Sequence, residues 1–124
     1  MPRGVLALLL VLPAACDAPI GHPPIARIDL TPAAIPAHDE LQTAVTLDGK
    51  KSADPIDDPD ATEKLTYQWT ITDAEVRFEA GSRDTSEQPI VRFRGERPPT
   101  ITLTVTDPDG NESSTTKYLE LTVK

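Results

Sequence analysis

LTYQWTIT, residues 65–72, alternates apolar and polar side chains without a break: Leu65, Tyr67, Trp69 and Ile71 fall on one face, Thr66, Gln68, Thr70 and Thr72 on the other. A period of two is that of an extended strand, whose successive side chains point to opposite sides. One apolar face and one hydroxyl-rich face suit a sheet covered on one side and wet on the other, as antiparallel sheets commonly are. Trp69, central on the apolar face, marks the core.

Working outward, TITLTVTD (100–107) repeats the pattern with Ile101, Leu103 and Val105 inward and threonines outward, and LQTAVTLD (41–48) sets Leu41, Thr43, Val45 and Leu47 on one side. Four weaker runs, IARIDL (25–30), EVRFEA (75–80), PIVRF (89–93) and KYLELTV (117–123), complete a set of seven, separated by turn-forming clusters such as TPAAIPAHDE. No long window carries a helical apolar stripe. We therefore expect an all-β fold, a seven-stranded antiparallel sandwich over residues 25–124, with Trp69 on its third strand.

The chain has 124 residues, room for one domain of ordinary size. Its 20 acidic and 12 basic side chains give a net charge of −8, which argues against a nucleic-acid partner, whose phosphates are met by lysine and arginine. One cysteine allows no intramolecular disulfide.

Residues 1–16, MPRGVLALLLVLPAAC, place Arg3 before an apolar stretch from Val5 to Leu12 and then small residues. This is the outline of a signal peptide, over residues 1–15, and the stretch is far short of the ~20 residues of a membrane-spanning helix. LPAAC resembles the lipobox of bacterial lipoproteins, in which the cysteine is lipidated, for example with palmitate, and becomes the mature N-terminus. That resemblance makes Cys16 the membrane anchor and places the protein in the bacterial cell envelope, on the periplasmic face or at the outer membrane. The alternative is an ordinary signal peptide cleaved after Ala14-Ala15, leaving a free thiol. Residues 16–24 then hold the anchor and a proline-rich spacer, DAPIGHPP, able to extend by ~3.1 Å per residue. His22 within it reads as solvated.

LDGKKSADPIDDPDATEKLTYQWTI (47–71) and LTVTDPDGNESS (103–114) together resemble the bacterial polycystic-kidney-disease (PKD)-like and related cadherin-like or fibronectin-like repeats. Those domains share a leucine-aspartate-glycine end to the second strand, an aspartate-rich loop, a tryptophan in the third strand and a threonine-valine-threonine-aspartate sixth strand. The resemblance spans residues 25–124 and implies an immunoglobulin-like sandwich serving adhesion, spacing or binding.

Two features carry candidate chemistry. Asp54, Asp57, Asp58 and Asp60 lie in the loop before the third strand, and Asp107 and Asp109 in the turn after the sixth. Such loops share one end of an immunoglobulin-like sandwich, and Ca²⁺ takes six to eight oxygens, so these aspartates form a candidate calcium site. The alternative is that Asp107-Pro108-Asp109-Gly110 and the Asp-Pro steps are turn formers. Arg92, Arg94 and Arg97 make the basic cluster, either guarding an edge strand or contacting a glycan or acidic envelope protein.

Catalysis lacks parts. The cysteine falls at the anchor, and His22 and His38 sit in irregular segments. No zinc spacing or phosphate-binding glycine loop occurs. We expect a non-catalytic binding or spacer lipoprotein with no resident cofactor except the candidate Ca²⁺. The alternatives are a calcium-dependent adhesion or carbohydrate-contact module and a structural subunit of an envelope assembly. We also expect the acidic loops and the incoming spacer to share one pole, with the arginine loop at the other.

Overall fold

The computed structural model describes residues 21–72 and 75–123. Cys16 and the expected signal peptide, residues 1–15, lie outside the described residues. The described chain is all-β, with nine short strands: β1 (Asp29–Thr31), β2 (Ala34–Pro36), β3 (Ala44–Asp48), β4 (Thr66–Thr72), β5 (Val76–Phe78), β6 (Ile90–Phe93), β7 (Thr100–Thr106), β8 (Glu112–Tyr118) and β9 (Glu120–Thr122).

Four strands, β1-β3-β6-β5, form one antiparallel sheet, three, β4-β7-β8, form another, and β9 pairs with β2. Since β9 follows β8 after Leu119 alone, the β9-β2 pair continues the outer edge of the three-stranded sheet. The inner faces meet in the core. Val45, Leu47, Val91 and Phe93 of one sheet and Ile101, Leu103 and Val105 of the other are fully buried, and Trp69 is 2% exposed.

The longest pairing is β4 with β7, antiparallel from Thr66↔Thr106 to Thr72↔Thr100, with Trp69 opposite Leu103. Trp69 is also held by its polar atoms. Its ring Nε1–H donates to the Ser86 carbonyl at 2.7 Å, and its backbone N–H to the Asp84 carbonyl at 2.7 Å, so the 82–87 loop covers this edge of β4. Gly49 explains the leucine-aspartate-glycine motif. A Cβ there would lie 3.0 Å from Leu103 and 3.2 Å from the Trp69 ring, so the absence of a side chain lets β3 end against the tryptophan.

The strand count differs from the expected seven, and so does the purely antiparallel arrangement. The stretch after β1 yields β2, because the chain crosses at Pro32 from the four-stranded sheet to the other. There it runs alongside β9 in parallel, Ala34↔Glu120 to Pro36↔Thr122. The final run starts earlier than KYLELTV. β8 begins at Glu112 and consists mostly of hydroxyl residues that show no apolar period. Its pairing is with the threonines of β7: Thr102 Oγ1 lies 3.1 Å from Thr116 Oγ1, and Thr104 Oγ1 2.7 Å from Ser114 Oγ. Val123, the last residue of that run, is 87% exposed beyond β9.

Replacing Trp69 by alanine removes a large aromatic from a closed core and leaves the Ser86 carbonyl without its donor. We expect a loss of ~3–5 kcal/mol, a large part of a typical domain's stability. Thermal or urea unfolding of Trp69→Ala reads it, and a midpoint within a degree or two of wild type would contradict this placement of the tryptophan.

Candidate functional site: an acidic pole

The β4–β7 register sets the site. Because the start of β4 pairs with the end of β7, the loop preceding β4 and the turn following β7 emerge side by side. One carboxylate oxygen each from Asp54, Asp57 and Asp107 then lies within 4.8 Å of the others. The incoming segment arrives at the same pole: Ile25 bridges to Ala53, and the His22 backbone N–H donates to Asp57 Oδ2 with its ring Nδ1 3.2 Å from Oδ1. Spacer and aspartates share one pole, as expected. Gly21 approaches Asp57 so closely, at φ +83°, that a side chain there would collide with the carboxylate.

Each carboxylate has different company. Asp107, 5% exposed, accepts from the Asp109 and Asn111 backbone N–H groups, each at 2.9 Å, and from Asn111 Nδ2 at 3.1 Å. Burial pushes its pKa up, but these donors outweigh burial and hold it below the ordinary value. Asp57 is lowered chiefly by the His22 backbone N–H. Asp54 is 4% exposed, and with Glu63 ionised no donor reaches either of its oxygens.

The sequence-predicted aspartates therefore divide. Asp54, Asp57 and Asp107 converge. Asp58 instead caps its own loop, accepting from the backbone N–H groups of Thr62 at 3.0 Å and Glu63 at 2.9 Å, which lower its pKa. Asp60 and Asp109 are exposed and stand outside the group of three. Glu63 is a member that sequence reasoning missed. It follows no periodic pattern, and only the folded loop sets it against Asp54. One of its oxygens is buried without a donor, and its pKa is pushed up to about 7, first by the hydrogen bond that its protonated form gives Asp54, then by burial and by the charges of Asp54, Asp58 and Asp107.

Beside this group a hollow of about 640 Å³ is lined by Asp54 and Glu63 together with Lys50, Lys64, Leu65 and Tyr67. The Tyr67 hydroxyl donates to Glu87 Oε2 at 3.1 Å. Its pKa is pushed up to about 12 by burial and by the Glu87 charge.

The arginines occupy the opposite pole. Arg92 forms a two-pronged pair with Glu79, both contacts at 3.1 Å, and Arg94 bonds Glu75 at 2.9 Å and Glu40 at 2.8 Å. Arg97 is exposed and makes no ion pair among the described residues. Two of the three charges are thus compensated within the domain.

The fold is similar to the solution structure of the PKD domain from KIAA 1837 protein, with a TM-score of 0.55, 21% identity, and coverage of 87% of this chain and 93% of that one. No family model matches the sequence, and no curated protein does.

A pH dependence follows from Glu63. Its folded pKa of about 7 exceeds the ordinary 4.5, so the folded state holds a proton that the unfolded chain releases. The associated stability is complete below about pH 4.5 and is lost as pH rises through about 7. In chelator-containing buffer the melting temperature should fall between pH 5.5 and 8, and Glu63→Gln should flatten that slope. An equal slope in the variant would contradict this role for Glu63.

Proposed function

We propose that the chain is a lipid-anchored, non-catalytic module of the bacterial cell envelope, acting as a binding or spacer domain. The observation that carries this reading is the path of the chain. It enters at the acidic pole, where His22 meets Asp57, and β9 ends at the arginine pole, where the Ala37 N–H donates to the Thr122 carbonyl and the His38 N–H to the Gly95 carbonyl. Entry at one pole and exit at the other is the arrangement of an end-to-end spacer. The PKD-like neighbour is consistent with a non-catalytic role.

The anchor follows from LPAAC and Cys16, ahead of the docked segment. Detergent-phase partitioning of the expressed full-length protein, with mass spectrometry of its mature N-terminus, tests it. Wild type should enter the detergent phase carrying acyl mass on Cys16, and Cys16→Ser should stay in the aqueous phase. An unmodified Cys16 thiol on wild type would overturn the anchored reading.

A calcium-dependent carbohydrate-contact module is the second reading, favoured by the hollow that opens beside the carboxylates, with Tyr67 and Lys64 in its wall. Retention on immobilised envelope glycans that is lost with chelator and with Tyr67→Ala would support it. Retention indifferent to both would refute it.

A further inference from the structure

At the acidic pole the donors of the described chain meet Asp57 and Asp107, but among the described residues no basic side chain meets Asp54. Three carboxylate oxygens lie within 4.8 Å of one another, two of the carboxylates belong to buried residues, and mutual repulsion in a desolvated site is strong. A cluster of aspartates alone is commonplace on protein surfaces. Asp54 adds a second, independent observation: it is 4% exposed, it contributes one of the three convergent oxygens, and with Glu63 ionised neither of its oxygens receives a hydrogen bond. A buried, unpaired carboxylate is costly and is retained where something charged meets it.

The donor set defines what that is. All three groups are hard oxygen donors, with no thiolate, which selects cations of the Ca²⁺ and Mg²⁺ class over softer transition metals. Three oxygens within 4.8 Å of one another have a common centre at most about 2.8 Å from each, so a small inward movement brings all three to the 2.3–2.6 Å of Ca²⁺. Mg²⁺, at 2.0–2.1 Å, demands a tighter and nearly ideal octahedron. Asp107 is already aimed by the Asn111 and Asp109 N–H groups, and Asp57 by His22. Asp107 Oδ1 accepts both backbone N–H groups, whereas Asp107 Oδ2 and each Asp57 oxygen have one contact and keep a further lone pair.

We propose that Asp54, Asp57 and Asp107 bind one Ca²⁺ ion in preference to Mg²⁺, and that the ion clamps the loop before β4, the turn after β7 and the incoming Gly21–His22 segment together. Remaining coordination positions fall to water or backbone carbonyls. Asp58, Asp60 and Asp109 are not ligands. The clamp makes the direction in which the chain enters the domain depend on the cation, because Asp57 holds both the ion and His22. It stands whether or not Cys16 is acylated, and its test reads a different quantity.

Calorimetric titration and thermal melting of the purified full-length protein in detergent, with CaCl₂ and with MgCl₂, decide the matter. One Ca²⁺ should bind per chain. At a hundredfold excess over Kd the melting temperature should rise by on the order of 10 °C, with a smaller rise for Mg²⁺. Asp54→Asn and Asp107→Asn should lose the heat and the shift, while Asp60→Asn and Asp109→Asn keep both. Asp57→Asn, at an exposed position, supplies a folded variant should a buried one fail to fold, and should weaken binding at least tenfold. Exchange of the His22 amide should slow in wild type when Ca²⁺ is added. Absence of any heat or shift at millimolar Ca²⁺ overturns the site, as does full binding by Asp54→Asn or Asp107→Asn. An equal response to Mg²⁺ overturns the assignment to calcium.

Discussion

The antiparallel register of β4 on β7 is the constraint on which the rest of the structure depends. Setting Trp69 opposite Leu103 and Thr66 opposite Thr106 fills the core with one face of each strand, and it also delivers Asp54 and Asp107 to the same pole. A slip of one residue would turn both apolar faces to solvent and separate the two loops. Core and acidic pole are therefore consequences of one alignment. The pole can be crowded with like charges because the strands behind it are held by burial of Trp69, Leu103 and Val105 rather than by anything at the pole itself.

That crowding has two physical remedies. Protonation of Glu63 beside Asp54 lowers the charge, and the hydrogen bond this form gives Asp54, with burial and the neighbouring carboxylates, pushes the Glu63 pKa up to about 7. The divalent cation we propose would lower it further and would engage Asp57 and Asp107 as well. The first acts within one loop. The second joins segments that are far apart in the chain, including residues 21–22, and so bears on how the domain is held relative to whatever precedes it. At the other pole two of the three arginine charges are neutralised internally, Arg92 by Glu79 and Arg94 by Glu75 and Glu40. The asymmetry between poles is thus one of compensation as much as of sign.

Much of this was legible in the sequence, and the reasons are local. LTYQWTIT and TITLTVTD carry a period of two because each has one dry face, and both are strands with their apolar members turned to the core. β2 and β8 were not legible. AIP is three residues among prolines, and ESSTTKY is polar on both faces, its pairing resting on cross-strand hydroxyls. Convergence of Asp54, Asp57 and Asp107 was readable from loop placement in a sandwich, whereas the separation of Asp58, Asp60 and Asp109 from them was not. Which oxygens meet depends on loop path, such as the turn in which Asp58 accepts from Thr62 and Glu63. Glu63 and His22 were invisible for the same reason, since their partners lie in other parts of the folded loop and in the incoming segment.

Amide chemical-shift mapping by NMR during a Ca²⁺ titration of the acylated or unacylated full-length protein examines the clamp residue by residue. Saturable shifts should appear at His22, Ala53, Asp54, Asp57 and Asp107 through Asn111, with Arg94 and Gly95 at the far pole unmoved. Shifts absent throughout, or spread evenly over both poles, would contradict a cation held at the meeting of these three segments.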